Sequence, residues 1–92
     1  MGVLSVDHNF TVDENSKDYN VPVSGEYMFF ATGVFGNGML TLETTPDKGV
    51  NWFTVDQLSG AGRLIRYLVS GERVRLCLGG ATSPDINAGI RQ

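Results

Sequence analysis

Thr45-Pro46-Asp47-Lys48-Gly49-Val50-Asn51-Trp52 is the stretch that decides how this chain folds. It stands between two apolar runs. Before it, Met39-Leu40-Thr41-Leu42-Glu43-Thr44 alternates, with Leu40 and Leu42 facing inward and Thr41 and Glu43 outward, the period of a half-buried strand. After it, residues Asn51 to Val55 read as the return strand. Inside the stretch, Pro46 fixes φ just ahead of the turn. Asp47 offers its carboxylate to backbone N–H groups one or two residues on, closing an Asx-type turn. Gly49 supplies the positive φ that a hairpin with a bulge requires. Trp52 folds back over the hairpin as apolar cover. The octapeptide is thus the turn and return of a β-hairpin.

Working outward, the strand pattern repeats. Glu26-Tyr27-Met28-Phe29-Phe30-Ala31-Thr32 puts Tyr27, Phe29 and Ala31 on one face and Met28 and Phe30 on the other. Both faces are apolar, so this strand is buried on two sides or lies at a subunit interface. Gly33, Gly36 and Gly38 mark the turn that follows. Towards the C-terminus, Arg63 to Val69 sets Leu64 and Leu68 against Ile65, Tyr67 and Val69, and Ser70-Gly71-Glu72 is a tight turn. In Arg73-Val74-Arg75-Leu76-Cys77-Leu78 the aliphatics face inward and the arginines outward; Asp85 to Ile90 alternates at Ile86, Ala88 and Ile90. Towards the N-terminus, Val3 to Val6 and Phe10 to Val12 read as two short strand pieces, and Asp13 to Asn20 and Asp56 to Gly62 as loops. No stretch keeps helical three-four spacing. Short strands at roughly ten-residue intervals predict an all-β fold, a small antiparallel β-sandwich or barrel of about seven or eight short strands.

The chain has 92 residues, which predicts a single domain spanning 1–92. Twelve glycines without a repeat period fit many turns between short strands. A net charge of −3 argues against nucleic acid as the ligand, since phosphate binding needs a clustered positive field. The charges are uneven. Asp7, Asp13, Glu14 and Asp18 fall in the first half, and Arg63, Arg66, Arg73 and Arg75 in the second. Such an asymmetry steers subunits together head to tail, or forms two solvated faces. The one cysteine, Cys77, allows no intrachain disulfide. The start of the chain reads as no signal peptide, and no apolar run nears the roughly 18 residues of a membrane span, so no membrane partner is expected.

Chemistry is sparse. His8 lies between Asp7 and Asn9 in an expected turn, and Cys77 sits in an alternating strand as a small hydrophobe, so the two make no activated dyad. One His and one Cys cannot close a zinc site. Asp13, Glu14, Asn15 and Asp18 miss the spacing of a calcium loop. Gly33, Gly36 and Gly38 precede a strand and so form no phosphate cradle. These readings predict a non-enzyme with no cofactor and no metal. Trp52 reads as turn cover or, were its face free, as a sugar-stacking platform.

The octapeptide, with Asp47, Gly49 and Trp52, resembles the Asp-box hairpin of sialidases and other β-proteins, where it is structural. Read whole, residues 24 to 80 resemble small virion structural proteins of tailed bacteriophages. The shared pattern is Gly25-Glu26-Tyr27-Met28-Phe29, the glycine turn Gly33 to Gly38, the strand Met39 to Thr44, the turn Pro46 to Trp52, and Gly71-Glu72-Arg73-Val74-Arg75. The chain departs from it at Lys48-Gly49-Val50-Asn51, where a second glycine or a polar run is usual. The resemblance implies a capsid decoration (cement) protein, or a tail or fibre component binding host glycans. It also implies a homo-oligomer, a trimer foremost, that binds the major capsid protein or other virion proteins, with the virion, assembled in the host cytoplasm, as its place. The surfaces expected to serve are Met28 and Phe30, and an extended N-terminal arm over residues 1–12 carrying Val3, Leu4, Val6 and Phe10.

Overall fold

The computed structural model describes residues 4–92. Nine strands follow in chain order: β1 (Ser5–Phe10), β2 (Glu14–Asn15), β3 (Tyr19–Asn20), β4 (Gly25–Val34), β5 (Met39–Thr45), β6 (Phe53–Leu58), β7 (Gly62–Leu68), β8 (Arg73–Gly79) and β9 (Asp85–Arg91). β2 and β3 are two halves of one edge strand on β8. Pairing steps from Asn15 opposite Cys77 to Tyr19 opposite Val74, so Ser16, Lys17 and Asp18 stand against Arg75 and Leu76. Ser16 holds this bulge. Its N–H donates to the Leu76 carbonyl at 2.7 Å, and its Oγ accepts the Leu76 N–H at 2.9 Å.

One sheet has the order β1-β9-β4-β7; the other has β2-β8-β5-β6, with β3 beside β8. Every pairing is antiparallel. With β2 and β3 counted as one, eight strands pass back and forth between two sheets, the double Greek key of a jelly roll. The all-β sandwich expected from the strand spacing is what the chain forms.

The alternating residues meet between the sheets. Tyr27, Phe29 and Ala31 of β4, Ile86, Ala88 and Ile90 of β9, Leu40 and Leu42 of β5, and Val74, Leu76 and Leu78 of β8 are buried in one cluster. Fully burying a side chain of this kind is worth about 1.5–3 kcal/mol, so the cluster dominates what holds the sheets together. Tyr27 turns its polar tip out of the core, and its hydroxyl donates to the Val23 carbonyl.

The expected loop over Asp13 to Asn20 instead holds the edge pieces β2 and β3, which pair with β8, the return strand begins at Phe53 and not at Asn51, and two further boundaries move. The N-terminal pieces are one strand, β1, paired with β9 from Ser5 opposite Arg91 to Phe10 opposite Ile86. His8 was expected in a turn. It instead follows Val6 and precedes Phe10 on the inward row, with its ring 4.3 Å from the Phe10 ring and Nε2 2.9 Å from Glu14 Oε2. The expected arm therefore corrects to a strand of the protein's own sheet over Ser5–Phe10, because Phe10 gains more buried inside than extended in water. The second move concerns the expected loop from Asp56. β6 runs on to Leu58, paired with Leu40, which leaves only residues 59–61 between β6 and β7. A break in register between Leu42 and Glu43 lets Phe53, Asp56 and Leu58 follow β5 despite their uneven spacing.

Candidate functional site

The octapeptide forms the loop between β5 and β6, at one end of the sandwich. Asp47 is its centre. Oδ1 accepts the Asn51 N–H at 2.8 Å and the Thr45 hydroxyl at 2.7 Å, and Oδ2 accepts the Asn51 side-chain amide at 2.7 Å. The Gly49 N–H donates to Thr45 Oγ1 at 2.9 Å. These bonds, the Asn51 backbone bond foremost, favour the ionised carboxylate and hold the Asp47 pKa down at about 2. Gly49 has φ +91° and lies under Trp52. The Arg75 guanidinium stacks 3.9 Å from the centre of the Trp52 ring, so one face of the indole is already occupied. Arg75 in turn donates through Nε to Glu43 Oε1 at 2.8 Å, and the Cys77 thiol donates to the same oxygen at 3.2 Å. Burial first, and then the Glu43 carboxylate, push the Cys77 pKa up to about 12. A thiol so held is a poor nucleophile at neutral pH.

Among the described residues there is no concave pocket, and no group of three or more His, Cys, Asp or Glu is placed to hold a metal. What remains is surface. The residues expected to form an interface fall into different places. Val3 lies outside the described residues. Leu4 and Phe10 belong to the buried core, and Val6 packs against it, so the structure assigns these three to the inside of the subunit. Met28 and Phe30 lie half-buried on the outer face of the first sheet. Phe30 already has intramolecular company. Its ring covers Gly89, where a Cβ would come within 2.7 Å of Phe30 Cζ, and Arg91 lies 5.1 Å from its centre.

The apolar surface that stays open is on β7 and β6. Ile65 is 56% exposed, Tyr67 64% and Phe53 57%, with Val69 just past the end of β7 also exposed. Met28, directly opposite Ile65 on β4, extends the patch inward. In the sequence Ile65, Tyr67 and Val69 form one face of a strand, and alternation alone does not tell which of its two faces turns away from the core. Arg66 closes this side by pairing with Asp56 across the two sheets, so the β6–β7 edge carries Arg63 as the cation with no ion pair among the described residues. The opposite edge, β1 with β2 and β3, is acidic. Residues 4–20 hold four carboxylates, Asp7, Asp13, Glu14 and Asp18, against Lys17.

The fold is similar to that of a pentameric phage capsid protein. That protein was isolated from metagenomic phage sequences; the superposition covers 97% of this chain with a TM-score of 0.50 at 12% identity. The chain spans about 65% of the length of that capsid protein. No family model matches the chain, and no curated protein sequence matches it. The likeness is therefore one of fold. Arg73 and Arg75, counted with the basic half in the sequence, lie on β8 inside the second sheet, and Arg75 is engaged by Glu43 and Trp52. The positive end of the expected charge asymmetry is accordingly Arg63, beside an apolar edge.

Proposed function

We propose that this chain is a virion structural protein of a tailed bacteriophage, a decoration (cement) protein seated on the head shell and bound to the major capsid protein. The observation that carries this reading is the two-sheet fold, which superposes over 97% of the chain on a pentameric phage capsid protein. Two further features support it. Ile65 and Tyr67 on the outer face of β7, and Phe53 on β6, are apolar and uncovered, as an adhesive surface must be before assembly. The polar groups at Asp47, Glu43 and Cys77 are spent on holding the loop and the sheet, which agrees with a protein that binds and does not catalyse. Copies would associate as a closed ring over a junction of shell subunits. The resemblance to small phage structural proteins implies a trimer, while the neighbour in fold is a pentamer.

A second reading, a tail or fibre module that meets host glycans, is favoured by one observation, the exposed ring of Tyr67. Counting copies per particle separates the two. Purified virions of the encoding phage are digested, and this chain is quantified by mass spectrometry against the major shell protein. A count in the hundreds fits decoration. A few copies to a few dozen fit the tail or fibres. Absence from the particle overturns both.

A further inference from the structure

The two edges of the sandwich match each other row by row, and we propose that copies of this chain join head to tail through them. The β6–β7 edge of one copy meets the β1–β2–β3 edge of the next, around an axis parallel to the strands. The inference rests on the ring reading above and names its contact surface.

In the first sheet, Asp7 pairs with Gly89, Gly89 with Phe30, and Phe30 with Arg63. These residues form one cross-strand row, with Asp7 at one edge and Arg63 at the other. Partners in a row point to the same face. In the second sheet, Tyr19 pairs with Val74, Val74 with Thr44, and Thr44 with Phe53. Here the row begins at half-buried Tyr19 and ends at exposed Phe53. Rotation about an axis parallel to the strands keeps every row at its own height. Bringing the two edges of neighbouring copies together therefore sets Arg63 against Asp7, and Phe53 against Tyr19. A cation faces a carboxylate, and an exposed aromatic faces one at the mouth of the next core.

Strand direction agrees. Each sheet is four antiparallel strands wide once β2 and β3 are counted together, so its two edge strands run in opposite senses. In such a ring β7 lies antiparallel to β1 of the next copy, the sense in which edge N–H and C=O groups pair best. The acidic edge repels a copy of itself, and a symmetric antiparallel pairing of two β7 strands would set Arg63 opposite Tyr67, with no carboxylate across from it. Charge thus favours the unlike contact over both like ones. A contact between unlike surfaces closes into a ring when the rotation permits it.

The test uses the full chain with cysteines placed at the matched positions, Asp7→Cys and Arg63→Cys together. Within one subunit these positions are three strand spacings apart, about 14 Å. That is well beyond the reach of a disulfide, so any bond between them joins two copies. Cys77 is replaced by Ser to keep the readout clean. Mild oxidation is expected to give a ladder of covalent multimers ending at the ring size that native mass spectrometry finds for the wild type, while either single-cysteine variant gives none. Arg63→Asp and Asp7→Arg should each reduce the assembly to folded monomer, and the two together in one chain should restore it. Dimers from Arg63→Cys alone would overturn the proposal in favour of a symmetric contact. A wild-type ring without the ladder would overturn the surface while leaving the ring intact. A wild-type monomer at every concentration would overturn the contact itself. The virion count is read separately, so failure of the functional reading is told apart from failure of the interface.

Discussion

The two edges of this sandwich are built on different principles. On the side of β1, β2 and β3, the strand line is broken by the Ser16 bulge and lined with Asp7, Asp13, Glu14 and Asp18. Those side chains are also at work within the subunit. Asp7 holds Arg91 at 2.9 Å, Glu14 meets His8, and Asp13 accepts the N–H groups of Gly80 and Ala81 at 3.0 Å each. This is how proteins blunt an edge against random pairing. On the side of β6 and β7, β7 is an unbroken seven-residue strand that shows Ile65 and Tyr67 to solvent. An edge left long and apolar is a hazard unless something covers it. One edge therefore keeps most of its charged groups bonded within the subunit, and the other shows apolar side chains with no partner of their own.

Core and rim aromatics give the largest separation between the two sides. In the Arg63→Asp monomer, Phe10→Ala on β1 should cost about 3–5 kcal/mol, because a fully buried ring leaves a cavity. Tyr67→Ala on β7 should stay within about 0.5 kcal/mol in the same background, as for an exposed site. Urea unfolding monitored by circular dichroism checks both. Equal costs would break the comparison, since Tyr67 would then be holding the subunit together.

Glycines sharpen it next. A Cβ at Gly89 would come within 2.4 Å of the Val6 carbonyl oxygen, backbone that cannot move without parting β9 from β1. Gly89→Ala should cost about 1–3 kcal/mol by overpacking. A Cβ at Gly62, at the start of β7, would meet only Leu58 Cδ2 at 3.5 Å, an ordinary contact. Gly62→Ala should therefore be neutral within about 0.5 kcal/mol or slightly stabilising. A melting curve for each variant decides, and a destabilised Gly62→Ala would mean that the β7 edge is as tightly packed as the β9 row.

The ion pair between Asp56 and Arg66 ties the two sheets at the open side, and both partners keep solvent contact. Asp56→Ala should cost no more than about 1 kcal/mol, and the difference from wild type should shrink in high salt. A larger cost, or one indifferent to salt, would show this side to be closed more firmly than its exposure implies.

The smallest effect is at the β5–β6 loop, which belongs to neither edge. The folded-state pKa of Asp47 is depressed to about 2, chiefly by the Asn51 N–H. Its ionised form is favoured by folding, so the stabilisation is complete above the ordinary carboxylate range and is lost as pH falls through about 2. Wild type should lose more thermal stability over that interval than Asp47→Ala. Parallel acid titrations of the two would argue against the turn bonds contributing to stability.

Most of the core was legible in the sequence because strand burial follows a period of two. Tyr27, Phe29, Leu40, Leu42, Val74, Leu76, Ile86 and Ile90 are where alternation puts them. The polar run Asp7-His8-Asn9 hid β1, since a half-buried His on the inward row reads as a turn residue. The expected loop from Asp56 hid the second half of β6, because a register break between Leu42 and Glu43 masks the period. The candidate surface was less legible still. Leu4 and Phe10 read as sticky arm residues, and they are core. Ile65 and Tyr67 read as one of two apolar faces, and they are the free one.

By itself, then, the sequence determined the fold class, the inward rows, the β5–β6 turn around Asp47 and Gly49, and the uneven distribution of charge, all set by residues near one another along the chain. Only the tertiary structure decided the strand order β1-β9-β4-β7 and β2-β8-β5-β6, and with it which strands are edges. The physical reason is that a strand's period tells which side chains share a face, whereas its neighbours are chosen by long-range pairing. Asp7 and Arg63 are 56 positions apart in the chain, and it is that pairing which places them at opposite ends of a single row.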